Sequence, residues 1–154
     1  MTTYQLEPLD AAVADALRSQ GGVRYTADAK PGYPCRRCLQ DAEVGEELIL
    51  VAHDPFDEGT DTAYRSSSPI FVHVNACEPP ADLSVLPEQL TVRQLSVRAF
   101  DSGAMMVDAA VIDGSDLDGT LQQFFSSDEI DQIHVHNATR GCWATTIRRD
   151  QVRP

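Results

Sequence analysis

The chain has 154 residues, 42% of them hydrophobic, which fits a single domain over 1–154 able to bury one core without disulfides or metal. Twenty-four acidic residues against twelve basic ones give a formal charge of -12, which argues against a nucleic-acid partner, since such binding depends on clustered Lys and Arg. Apolar runs are short and Met1 to Glu7 lacks the basic-then-apolar order of a secretory signal, so a soluble cytoplasmic protein with no membrane partner is expected.

The opening reads as a short strand feeding a helix. Asp10 is placed to cap the first turn, and Leu9, Val13, Ala16 and Leu17 share one helical face. Gly21-Gly22 ends that helix. A polar loop leads to Gly32-Tyr33-Pro34-Cys35-Arg36-Arg37-Cys38. Glu47 to His53 is rich enough in branched residues for a buried strand. The acidic segment from Asp54 to Ser68 is a loop, and Pro69 to Ala76 is a second strand with Ile70, Val72 and Val74 on one face. Glu78-Pro79-Pro80 breaks it, and the chain is irregular to about Leu90.

A hairpin follows. Leu95, Val97 and Ala99 point inward while Gln94, Ser96 and Arg98 face away, Asp101-Ser102-Gly103 turns the chain, and Met105 to Ile112 returns. Ser115 and Asp118 form a capping-box pattern before a helix with a Leu117, Leu121, Phe124, Phe125 stripe. Two last strands, Ile133 to Asn137 and Trp143 to Arg149, are joined by the short turn Ala138 to Gly141. Helical crossovers between successive strands are mostly lacking, so the expectation is an α+β fold with a mainly antiparallel sheet, strongly curved or partly barrel-like, and two helices.

Strand alternation puts His134 and His136 on one face and Ile133, Val135 and Asn137 on the other. Cys35 stands beside Arg36 and Arg37, and positive neighbours favour a reactive thiolate that a histidine could deprotonate. The four cysteines are expected as thiols.

Several blocks stand in a familiar order: Gly32-Tyr33-Pro34-Cys35-Arg36, Tyr64-Arg65, Ile70-Phe71-Val72, Ser96-Val97-Arg98-Ala99-Phe100-Asp101, and His134-Val135-His136-Asn137-Ala138 with Gly141-Cys142. With these blocks the chain resembles the bacterial family of unknown function DUF1203, nearly end to end. The resemblance implies a small single-domain bacterial protein with no assigned activity. It also implies that Cys35, Arg36, His134, His136, Asn137 and Cys142 match the family pattern. Cys38, His73 and Cys77 depart from it, which argues against a metal site needing those three.

Two functional readings of different class follow. The first is a pocket enzyme or binding module for a small anionic metabolite, without organic or metal cofactor. His134, His136 and Cys35 would do the chemistry, and Arg36, Tyr64, Arg65, Arg98 and Asn137 would hold the substrate. The alternative is a zinc-stabilised, non-catalytic interaction domain in which Cys35-x-x-Cys38 and His134-x-His136 supply four ligands. The paired strand histidines and the arginine-flanked cysteine favour the first reading, with the oligomeric state left open.

Overall fold

The computed structural model describes residues 2–150. Its strands are β1 (Tyr4–Glu7), β2 (Val23–Thr26), β3 (Glu47–His53), β4 (Ser68–His73), β5 (Gln94–Phe100), β6 (Met106–Asp113), β7 (Gln132–Asn137) and β8 (Trp143–Arg149). The helices are α1 (Ala11–Gln20), α2 (Glu88–Thr91) and α3 (Leu117–Phe125). No helix among the described residues is long and apolar enough to cross a membrane.

The strands form two antiparallel sheets. One has the order β1-β8-β7-β5-β6 and the other β2-β3-β4. The α+β, mainly antiparallel expectation therefore holds, but the barrel-like curvature does not: both sheets are open. The reason lies between β4 and β5. That stretch carries Pro79, Pro80 and Pro87, which cannot donate to a ladder, and β5 beyond it pairs with β6 and β7 rather than with β4. A further strand, β2, pairs with β3. It escapes the hydrophobic pattern because all four of its residues are exposed.

The larger core lies between the five-stranded sheet and α3. Leu95, Val97 and Ala99 of β5 meet Ile133 and Val135 of β7 and the Leu117, Leu121, Phe124 stripe of α3. Each inward residue is the alternate one on its strand, as the period of two requires. The predicted capping box does not form: the Asp116 cap makes no side-chain bond. Asp118 instead accepts a 2.7 Å hydrogen bond from the Tyr4 hydroxyl. A short 3-10 turn, Gly114–Asp116, opens this helix. Gly114 is required there because an added Cβ would lie 2.1 Å from the Leu90 carbonyl oxygen. The third helix, α2, is a single turn in the stretch read as irregular, and it buries Gln89 and Leu90.

The smaller core packs α1 on the three-stranded sheet. The Asp10 cap forms as expected, accepting from the Val13 amide at 2.8 Å. Ala14 and Leu17 turn toward Leu48, Val51, Ile70 and Val72, whereas Ala16 is exposed. Trp143 joins this core from β8 and links the sheets, its amide donating to Ser68 Oγ at 3.1 Å.

Candidate metal centre

Residues 34–41 form a tight turn anchored to β4. Pro34 and Asp41 bridge antiparallel, Cys35 bridges Phe71 in parallel, and the Arg36 amide donates to the Phe71 carbonyl at 3.0 Å. Inside the turn the Leu39 amide donates to the Cys35 carbonyl at 3.1 Å, and Leu39 sits in the left-handed region at φ 58. A branched residue with that backbone is strained by about 1–2 kcal/mol. Complete burial of the Leu39 side chain in the larger core offsets the strain. The turn presents Cys35 and Cys38 to the end of β4. Its last residue there is His73, and Cys77 follows in the loop beyond.

These four side chains converge. One donor atom from each of Cys35, Cys38, His73 and Cys77 lies within 4.8 Å of all the others. Cys35 Sγ is 3.8 Å from Cys77 Sγ, and Cys38 Sγ is 3.5 Å from His73 Nδ1. A tetrahedral zinc ion, with bonds of about 2.3 Å to sulfur and about 2.05 Å to nitrogen, has edges of about 3.8 Å between sulfurs and about 3.5 Å between sulfur and nitrogen. Both distances match.

The surroundings suit a cation held by thiolates. His73 Nε2 is 3.2 Å from a Glu46 carboxylate oxygen, which fixes the proton on Nε2 and turns the Nδ1 lone pair toward the sulfurs. The His73 amide donates to Cys35 Sγ at 3.4 Å. Arg18 donates to the His73 carbonyl at 2.8 Å and reaches Cys77 Sγ at 3.8 Å, offsetting the negative charge that three thiolates and one divalent ion leave over. Hydrogen bonds from Cys38 and then Cys77 hold the Cys35 thiol below its ordinary range. The bond to Cys35 pushes Cys38 up. His73 is raised to about 10, by Cys35 first and Cys77 second. Without metal the group is thus a thiolate–imidazolium arrangement, and a cation entering it displaces protons.

The DUF1203 family model, described as a protein of unknown function, matches residues 32–149. The chain belongs to the DUF1203 family. Searches of curated proteins and of solved structures each return no match. The DUF1203 match spans the whole Cys35, Cys38, His73 and Cys77 group as well as the paired histidines of β7.

Of the residues expected to form one pocket in this DUF1203 chain, Arg98 reaches His136, Arg36 and Asn137 both reach Cys142, and Cys35 belongs to the cysteine–histidine group. Cys35 is fully buried in the cysteine–histidine group. His134 and His136 do share one face of β7, but the side chains that converge with Cys35 and Cys38 are His73 and Cys77. The reason is connectivity: the turn at 34–41 is bonded to β4, whereas β7 lies inside the other sheet. His134 packs between Phe56 and Phe100, with ring centroids at 4.7 and 4.8 Å, and its Nε2 is 3.1 Å from Gln132 Oε1. His136 Nδ1 is 2.9 Å from the Gly141 carbonyl, and its Nε2 is 3.5 Å from Arg98 Nη1. Burial, and then the His136 charge, lowers His134 to about 3; burial lowers His136 to about 4.

Arg36 is 1% exposed and donates to the Trp143 carbonyl at 2.8 Å, the Pro34 carbonyl at 2.5 Å and Cys142 Sγ at 3.1 Å, so it ties the turn to β8. Arg65 pairs with Asp54 at 2.7 Å and with three carbonyls of the same loop, those of Phe56, Asp57 and Thr60. Tyr64 meets Phe100 edge-on at 5.8 Å. Asn137 donates weakly to Cys142 Sγ at 3.7 Å, while its Oδ1 is buried with no hydrogen-bond partner among the described residues. All four cysteines are free thiols.

His73 and Cys77, set aside in the sequence as departures from the family pattern, are the candidate ligands that the structure brings to Cys35 and Cys38. One signal was available: Cys35-x-x-Cys38 followed by His73-x-x-x-Cys77 is a two-plus-two spacing of metal-binding type.

Proposed function

We propose that this DUF1203 protein is a zinc-stabilised domain in which Cys35, Cys38, His73 and Cys77 hold one ion. Four protein donors complete a tetrahedron, which is the pattern of a structural rather than a hydrolytic site. The ion joins the turn at 34–41, the end of β4 and the loop after it. Three soft sulfurs favour zinc and other thiophilic ions over magnesium or calcium. The observation that carries the reading is the convergence of four donor atoms within 4.8 Å of one another, with the Cys35–Cys77 and Cys38–His73 separations at tetrahedral edge lengths.

Cobalt substitution tests it. Cobalt(II) added to metal-free protein is expected to give the intense tetrahedral ligand-field bands and thiolate charge-transfer absorption of a three-sulfur, one-nitrogen site, saturating at one equivalent. Weak octahedral absorption that keeps growing with excess metal would refute it.

A second reading concerns the face of β5 and β7. Arg98 contacts Ser96 Oγ at 3.2 Å and His136 and has no carboxylate partner among the described residues. A small anionic molecule held there would satisfy it. Calorimetric titration of phosphate and of small dicarboxylates into the protein and its Arg98→Met variant tests this reading; equal heats in both would remove it.

A further inference from the structure

The four donors are not equally accessible. Cys35 is 0% and Cys38 8% exposed, while the Cys77 side is partly open. A groove of about 480 Å³ reaches the group from that side, lined among others by Thr26, Glu46, His73, Asn75 and Cys77. Neither Cys35 nor Cys38 lines it. The two inner cysteines sit in a turn bonded to β4. Cys77 belongs instead to the non-regular stretch beyond β4, where Arg37 holds its carbonyl at 3.3 Å.

We propose that metal enters and leaves through this groove, by exchange of Cys77 for the sulfur of an incoming small thiol. The proposal rests on the zinc reading above and extends it: the ion is a transferable one, and its exchange partner is a low-molecular-weight thiol. In the exchange a bond from the incoming sulfur to zinc forms as the bond from Cys77 Sγ to zinc breaks. The proton released by the incoming thiol passes to the freed Cys77 thiolate. No electrons are transferred, so no oxidant or reductant is needed. Cys35, Cys38 and His73 retain the ion during this first exchange; release follows as further donors from the thiol or the chelator replace them on zinc in turn, each freed cysteine taking up a proton. Glu46, at the groove, keeps His73 in its ligating tautomer throughout.

The test is the rate at which the zinc-loaded full chain gives up metal to a chromophoric chelator, with cysteine as the probe thiol and serine as its control. Zinc content is measured before mixing. Release is expected to accelerate in proportion to cysteine and not to respond to serine. Cys77→Ser is expected to keep about one zinc yet release it roughly tenfold faster or more without thiol, because a ligand is worth at least what its outer partners are worth. Its rate should no longer depend on cysteine. Thr26→Trp, which narrows the groove without touching a ligand, is expected to slow the thiol-dependent release and leave zinc content unchanged. Thiol-independent release from a zinc-loaded wild type overturns the exchange route alone, as does a Thr26→Trp protein with wild-type thiol response. A wild type that holds no zinc before mixing overturns the exchange route together with the zinc reading.

Discussion

Glu46 and His73 meet through a 3.2 Å contact between carboxylate and Nε2, and the opposite ring nitrogen of His73 lies 3.5 Å from Cys38 Sγ. The carboxylate orients the ring and makes it a better donor to a cation, and such partners are worth about 10–100-fold in metal affinity. Glu46→Ala is therefore expected to weaken zinc binding by about tenfold or more, and Glu46→Gln by less, because an amide oxygen still accepts from Nε2. Competition against a chelator of known affinity measures both. Equal affinities for all three proteins would show that the contact has no bearing on the metal.

Zinc should appear in the stability of the whole chain. A ligand that binds only the folded state stabilises by RT ln(1 + [L]/Kd), about 4 kcal/mol at a thousandfold excess over Kd. Chelation is expected to lower the melting temperature and added zinc to restore it. Magnesium should not substitute. A melting curve indifferent to chelator would mean that the ion, if bound, holds nothing together.

The buried imidazoles of β7 set an acid limit of their own. His134 and His136 titrate at about 3 and about 4 in the folded chain, below the value of about 6.5 for an unfolded histidine. Because the folded values are depressed, the unfolded state takes up protons first on acidification. The stabilisation is complete above pH of about 6.5 and is lost as pH falls toward about 4, at about 1.4 kcal/mol for each tenfold difference in proton affinity. Denaturant unfolding of chelator-treated protein between pH 7.5 and 4.5 removes metal loss, and comparison with the His136→Gln protein cancels the opposite contribution of His73, whose folded value is raised. His136→Gln should flatten the slope, and an unchanged slope would exclude the assignment.

Arg36 clamps the turn at 34–41 to β8. Its guanidinium spans two carbonyls and a sulfur from three directions, which a single ammonium cannot do. Arg36→Lys is expected to destabilise by about 2–4 kcal/mol, since buried acceptors are left unpaired and a charge is left poorly paired. Urea unfolding of both proteins gives the difference. A change below about 0.5 kcal/mol, the size of an ordinary surface substitution, would show that the clamp is dispensable.

Much of the fold could be read from period and punctuation. The β5–β6 hairpin, the Leu117 to Phe125 stripe and the Asp10 cap are local patterns whose residues meet their partners within one element or one turn. β2 could not be read this way, because Val23 to Thr26 is exposed throughout and its pairing with β3 is made by backbone bonds that leave no hydrophobic trace. Nor could the division into two sheets, which depends on where β4 fails to continue.

The site was legible in part. Cys35-x-x-Cys38 announces a turn able to offer two sulfurs, but what completes it depends on which strand that turn is bonded to. The bridge from Cys35 to Phe71 selects His73 and Cys77, and that tertiary bond is written in no local pattern. The paired histidines drew attention through their spacing. Yet His134 is packed between Phe56 and Phe100, because the loop from Asp54 to Arg65 is folded on itself by Arg65 and lies against it, whereas His136 meets Arg98.

The most direct measurement is native mass spectrometry of the full chain with its Cys38→Ser and His134→Gln variants. The zinc reading predicts one zinc per wild-type chain, still present in His134→Gln and lost or much weakened in Cys38→Ser. A wild-type chain that carries no zinc when purified in its presence, or a Cys38→Ser chain that holds zinc as tightly as wild type, would contradict it.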